Sequence, residues 1–216
     1  MGSINGNSSS DGTLYFAYGS NLSTTQMRDR CPKSTPVALA RLKGWKWIIN
    51  QRGVANIVPD PPRSPSKWPT LPFDPLPLLE LCGNTRRRDE DDNVVYGLLY
   101  RLHPHDEEAL DACEGVPWVY ERQFLDVVQL PAPGADAKTQ KTQKTQKTAE
   151  NTVKVLVYVD RNDTHTGPPR TEYVGRMNRA VEEAVAEWGL PKEYANSVIR
   201  PCIPAAESNK SKKSKK

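Results

Sequence analysis

Apolar β-formers recur along the chain in short runs set apart by turn residues. The runs are Leu14–Tyr18, Trp45–Asn50, Val54–Val58, Val94–Leu102, Tyr120–Leu130 and Val153–Val159. Each has the length and residue types of a strand. Three segments switch to a helical period. Ser23 to Arg30 follows the turn Gly19-Ser20-Asn21, where Asn21 is placed to cap it. His105 to Cys113 begins after Pro104 and stops at Gly115, a residue suited to a helix C-terminus. Thr171 to Trp188 puts Val174, Met177, Val181, Ala184, Val185 and Trp188 on one broad face, with Glu182, Glu183 and Glu187 outside it. That face reads as core packed on a sheet rather than as a ligand box. Hairpin-like spacing predominates, so the pattern predicts an α+β domain of about six strands, not a doubly wound sheet.

Two stretches interrupt the pattern. The segment from about 60 to 92 is Pro-rich and then charged, and the segment from about 134 to 150 carries a Lys-Thr-Gln repeat. Both read as surface insertions in strand connections, since loop-closure cost grows slowly with length. Residues 1–12 read as a polar, disordered leader and 205–216 as a disordered Lys-rich tail, leaving one domain over 13–204. The 216 residues are 37% hydrophobic and 26% charged, which suits a single domain with its own core. No apolar run approaches the ~20 residues that span a bilayer. The net charge of +4 is misleading. Four lysines lie in 138–148 and five in the tail, so the rest of the chain carries about −5. A mildly acidic body without an aromatic or Gly-rich nucleic-acid module disfavours a nucleic-acid partner. Cysteines 31, 82, 113 and 202 are scattered, and histidines 103, 105 and 165 complete no ligand set. This fits a reduced cytoplasmic protein without a structural metal or a disulfide framework.

Candidate chemistry lies at two places. In Leu14 to Leu22 a buried strand runs into Gly19-Ser20-Asn21. Gly19 allows positive φ and close approach of a ligand to the backbone. Such a turn can hold a carboxylate, or it can be an ordinary strand end with a helix cap. Glu114 shares the helix face of Leu110 and sits in the last turn, where the negative helix end and partial burial raise a carboxyl pKa. A raised carboxyl suits general acid/base work, although such a position can also hold an exposed terminal Glu. Cys113 beside it reads as a buried structural thiol.

The residues themselves add a resemblance. Tyr15-Phe16-Ala17-Tyr18-Gly19-Ser20-Asn21-Leu22, followed later by Leu110-Asp111-Ala112-Cys113-Glu114-Gly115-Val116 and Tyr120, resembles the γ-glutamylcyclotransferase family. Ala40 to Trp47, Gly53 to Pro59, Val94 to Tyr100, Val155 to Val159 and the 168–191 segment look like the family's elements in the family's order. The resemblance covers roughly 13–204. It implies a small mixed β-barrel flanked by helices with the site at its mouth. It also implies cofactor-free release of 5-oxoproline from a small-molecule γ-glutamyl peptide or amide, by attack of the substrate's own α-amine on its γ-carbonyl. Glu114 would be the acid/base. Tyr15, Phe16, Ala17, Tyr18, Gly19, Ser20, Asn21, Tyr120 and Tyr158 would bind the substrate. A homodimer is open. So are a specialised member that trims glutathione conjugates and a non-catalytic binding module on the same fold.

Overall fold

The computed structural model of the chain describes residues 12–60, 93–131 and 150–206. The expected leader and Lys-rich tail, both insertions and Cys82 fall wholly or almost wholly outside the described residues. In chain order the elements are β1 (Leu14–Ala17), a 3-10 turn (Ser20–Leu22), α1 (Thr24–Arg30), β2 (Thr35–Lys43), β3 (Trp45–Ile49), β4 (Ala55–Pro59) and β5 (Val94–Arg101). Then come α2 (Pro104–Glu114), β6 (Glu121–Gln129), β7 (Thr152–Val159), α3 (Thr171–Trp188), the short α4 (Lys192–Tyr194) and a π turn (Ala195–Ile199).

Five strands close into a barrel in the order β1-β5-β2-β6-β7, while β3 and β4 form a separate two-stranded ribbon. The expected α+β barrel flanked by helices is therefore present, but five strands close it rather than about six, because β3 and β4 stand apart as the ribbon and make seven strands in all among the described residues. The strand missing from the hydrophobic pattern is β2. It has Pro36 near its start, a bulge between Pro36 and Ala38, and alanines at 38 and 40. Ala38, Leu39 and Ala40 are buried in succession and do not alternate with exposed positions, so the period-2 signal is weak.

The seam of the barrel decides where the site falls. β1 lies antiparallel to β5, with Phe16 opposite Leu99, and parallel to β7, with Tyr15 opposite Leu156. β1 can approach β5 closely because position 97 is glycine. A Cβ there would stand 2.6 Å from the Phe16 ring and 2.8 Å from the Ala17 carbonyl oxygen. Across the seam the Tyr18 hydroxyl donates to the Tyr158 carbonyl at 2.6 Å. The ribbon attaches at the same point, where Trp47 Nε1 donates to the Tyr18 carbonyl at 3.0 Å.

α3 packs its buried face, Tyr173, Met177, Ala180, Val181 and Ala184, into the core. Val174, Val185 and Trp188, expected on that face, are only half-buried, because the contact stripe is narrower than the apolar one. α3 also fixes α1. Glu183 accepts from the Ser23 hydroxyl (2.9 Å), the Thr24 hydroxyl (3.2 Å) and the Thr25 amide (3.1 Å). The N-cap of α1 is Ser23, whose hydroxyl accepts from Gln26 N at 3.1 Å, and not Asn21. The intervening 3-10 turn moves the helix start along the chain and leaves the Asn21 side chain for the site. Among the described residues no helix is long and apolar enough to cross a membrane.

Candidate active site

Where β1 ends, a cavity of about 410 Å³ opens between the turn after β1, the C-terminal end of α2, the start of β6, the end of β7 and the N-terminal end of α3. α2 delivers Glu114, the only carboxyl among the described residues of its lining. The helix ends there because Gly115 adopts φ +69°, with its amide bonded back to Ala112 and the Val116 amide to Asp111. A left-handed residue at this point halts the helix without a Cβ penalty. Asp111, one turn earlier, anchors the helix end to the barrel. It accepts from the Tyr158 hydroxyl at 2.6 Å and from Arg122 at 2.7 Å. Glu107 takes a further short contact from Arg122.

Glu114 is 17% exposed at its side chain. Asn21 Nδ2 donates to its Oε1 at 3.2 Å and to the Tyr15 hydroxyl at 3.0 Å. The Asn21 carbonyl oxygen in turn accepts from Gln26 at 2.8 Å and from Arg30 at 3.1 Å. Arg30 also approaches Glu114 to 3.9 Å. Burial raises the Glu114 pKa, and Arg30, the Asn21 bond and Arg176 pull it back only in part, so the net shift is upward. The surrounding phenols are held neutral. Burial and the Glu114 charge push Tyr15 well up, burial and Tyr120 do the same to Tyr18, and burial takes Tyr173 up to about 12. They are hydrogen-bonding groups, not bases, at physiological pH.

Tyr15, Tyr18, Gly19, Ser20, Asn21, Glu114, Tyr120 and Tyr158 all line this one cavity. Phe16 and Ala17 do not. They are wholly buried, and Phe16 points to the other face of its strand, against Gly97. Strand alternation sends Tyr15 toward the site and Phe16 away from it. The Tyr120 hydroxyl donates to the Ala55 carbonyl at 2.9 Å, which ties the start of β6 to the ribbon. Two expectations change. Gly19 has φ −109°, so it is not in the left-handed region. Its smallness serves packing, since a Cβ would meet the Tyr173 hydroxyl at 3.0 Å and Ala55 Cβ at 3.3 Å. Cys113 is exposed at the cavity wall rather than buried, because it lies one step round the helix from the face that Leu110 turns inward.

The sequence pattern missed Tyr173 and four arginines in the lining: Arg30, Arg52, Arg170 and Arg176. Tyr173 and Arg176 carried one signal. They stand three apart on α3, and the guanidinium of Arg176 lies 4.9 Å from the centre of the Tyr173 ring. The other arginines reach the cavity only through the tertiary fold.

No family model matches the chain, and no curated protein matches it in sequence. Solved structures do match. The chain superposes on an uncharacterized human protein, loc79017, with a TM-score of 0.58 and 20% identity over 92% of this chain and 91% of that one. It superposes on a gamma-glutamyl cyclotransferase with a TM-score of 0.57 and 20% identity over 91% and 90%. YkqA from Bacillus subtilis matches at 0.55 and 18%, over 90% of this chain and 56% of that one. The chain thus shares its overall fold with these structures. The chain has the γ-glutamylcyclotransferase-like fold.

Proposed function

We propose that the chain is a γ-glutamylcyclotransferase, with Glu114 as its general acid and base. The observation that carries this reading is the state of Glu114: the only carboxyl among the described residues of the cavity lining, mostly buried, raised in pKa and hydrogen-bonded to Asn21 of the turn after β1. The glutamyl end of the substrate lies against Gly19 to Asn21, where Arg30 and Arg176 attract its α-carboxylate. Glu114 removes a proton from the α-ammonium. The freed nitrogen attacks the γ-carbonyl carbon, and a five-membered ring closes. The bond from that carbon to the leaving nitrogen breaks as Glu114 gives its proton to that nitrogen, and the freed carboxylate takes the second proton of the ring nitrogen, which the released amine carries away as its ammonium. The products are 5-oxoproline and an amine or amino acid.

The reaction is intramolecular, so most of the acceleration comes from holding the glutamyl chain folded with nitrogen and carbonyl carbon in contact. The aromatic walls support this role. Tyr15 and Tyr158 pack edge to face with centroids 5.5 Å apart, and the Tyr158 hydroxyl is tied to Asp111. Proton transfer by a positioned carboxyl adds about 10²–10⁴-fold.

The test is direct. Purified protein is incubated with a panel of γ-glutamyl amino acids, peptides and amines, and 5-oxoproline is followed by mass spectrometry. Stoichiometric release of 5-oxoproline and free amine is expected from at least one class. Release of glutamate instead, or no release from any compound, would exclude the cyclisation.

A further inference from the structure

We propose that Arg52 and Arg170 form a second carboxylate-binding subsite in the cavity, which selects γ-glutamyl peptides with a free C-terminal carboxylate over γ-glutamyl amines. This rests on the cyclotransferase reading for what occupies the other end of the cavity.

The four lining arginines fall into two pairs. Arg30 and Arg176 stand at the turn: Arg30 bonds Asn21, the Arg176 Nη1 lies 3.4 Å from the Ser20 hydroxyl, and both act on Glu114. Arg52 and Arg170 both line the cavity from segments that meet at Gly53. The Arg170 amide donates to the Gly53 carbonyl at 3.0 Å, and the Arg170 Cγ comes within 2.8 Å of where a Gly53 Cβ would be. Arg30 and Arg176 lie by Asn21 and Ser20, whereas the Arg52 guanidinium lies 5.3 Å from the centre of the Tyr120 ring, whose hydroxyl is on the Ala55 carbonyl. A substrate that puts its α-carboxylate at the first pair therefore extends its leaving group toward the second.

The second pair is built rather than incidental. The Arg52 guanidinium is braced by Asp160, which is only 2% exposed. The loop that carries it is pinned by Asp163, whose carboxylate accepts from the Gln51 and Arg52 amides at 3.1 Å each. Asp160 does not need Arg52 for its own hydrogen bonds. It already accepts from the Asn162 and Asp163 amides at 3.0 Å each and from Asn50 at 3.4 Å. Arg52, about a third exposed, thus keeps donors for a ligand. Arg170 lines the cavity and makes no side-chain hydrogen bond or ion pair among the described residues, though its charge acts on Glu172.

The charges agree. Arg52 is balanced by Asp160, and Arg176 by Glu172 at 2.9 and 3.0 Å. Arg30 and Arg170 also act on Glu172, and Arg30 acts on Glu114, so the four arginines face three carboxylates, Asp160, Glu172 and Glu114. Once Glu114 has taken the substrate's proton, the cavity carries two uncompensated positive charges. A γ-glutamyl peptide at that step, with a neutral amine and two carboxylates, carries two negative ones. A γ-glutamyl amine carries one. A cavity of about 410 Å³ lies in the range that takes a ligand of this size.

The experiment compares γ-glutamylalanine, γ-glutamylalaninamide and γ-glutamylethylamine by kcat/KM in the parent, Arg52→Gln and Arg170→Gln. A charge-assisted hydrogen bond is worth about ten- to a hundred-fold. The parent should favour the acid over both neutral compounds by at least that factor, mainly through KM, and each variant should reduce the ratio toward unity. A parent without preference, or variants that lose acid and amide equally, would overturn the subsite. Because Arg52 also braces a buried aspartate, the exposed Arg170→Gln decides if Arg52→Gln fails to fold. Calorimetric binding of the acid and the amide to Glu114→Gln separates this inference from the reaction itself. Discrimination in binding supports the subsite even where no 5-oxoproline is formed. Equal binding, or no binding of either, overturns it even where 5-oxoproline is formed.

Discussion

Replacing Glu114 by glutamine tests the proposed chemistry with little disturbance of the structure. The amide is nearly isosteric, and its oxygen can still accept from Asn21 Nδ2, which now lies 3.2 Å from Oε1. Arg30, at 3.9 Å, loses a charge partner but keeps its bond to the Asn21 carbonyl. What disappears is the proton carrier. General acid/base catalysis contributes about 10²–10⁴-fold, which at roughly 1.36 kcal/mol per decade is about 2.7–5.4 kcal/mol of barrier. kcat should fall by that range, with substrate affinity by calorimetry changed less than about three-fold. Stability supplies an independent check. Burial holds the folded-state pKa of Glu114 above its unfolded value, so the folded chain binds its proton more tightly. The resulting stabilisation is full below the unfolded pKa and is lost as pH rises through the folded one. Glutamine never ionises. The Tm of the variant relative to the parent should therefore rise between pH 4 and pH 7. In the parent, the acidic limb of kcat/KM should lie above the ordinary glutamate range of about 4.3. A variant that releases 5-oxoproline at the parent's rate, with its fold intact, would refute the assignment of Glu114.

Three further outcomes follow from the geometry. Gly19→Val puts a branched side chain where even a Cβ meets the Tyr173 hydroxyl at 3.0 Å, so KM should rise ten-fold or more, roughly 1.4 kcal/mol; an unchanged KM in a folded variant would make the turn purely structural. Glu183→Ala removes the carboxylate that receives Ser23, Thr24 and Thr25, and should cost about 1–2 kcal/mol by denaturant unfolding. Burial opposes ionisation of Glu183, but its hydrogen bonds outweigh burial and hold its pKa below the usual value, so this loss should shrink as pH falls through the folded pKa; a loss independent of pH would contradict it. Deleting 138–148 should leave Tm and turnover unchanged, because Gln129 N already bonds the Asn151 carbonyl at 2.9 Å at the end of the β6–β7 pair remote from Tyr120 and Tyr158; loss of most activity would mean that the lysines serve the site.

The parts of the site that the sequence discloses are those whose geometry is local. Glu114 and Gly115 are neighbours, and a helix stop after an inward-facing carboxyl is visible in a short window. The strand-to-turn passage at Tyr18 to Asn21 is visible in the same way. Local reasoning also erred where tertiary contacts set the detail. Asn21 looked like a helix cap, but the 3-10 turn hands that task to Ser23 and releases Asn21 to bridge Tyr15 and Glu114. Gly19 looked like a left-handed turn residue, but the Tyr173 hydroxyl from α3 is what leaves no room for a side chain. Arg52 was not legible at all, because its role depends on Asp160 and Tyr120, which are distant in the chain. β2 was weak in the pattern because a bulge follows Pro36 and consecutive residues Ala38, Leu39 and Ala40 are all buried, which breaks the alternation.

The parallel seam between β1 and β7 bears on how the protein comes to exist. Tyr18 and the Tyr158 carbonyl it meets are 140 residues apart, and Arg176 of the same cavity comes later still. A chain emerging from the ribosome therefore has the turn from the outset and Glu114 halfway, yet has no cavity until β7 and α3 arrive. Contacts of such long sequence separation form late and slowly. A truncated product that stops before 152 holds the carboxylate and the turn without the walls that bring them together. Under the proposed function, catalytic competence marks completed synthesis, and an activity measurement doubles as a count of fully closed barrels.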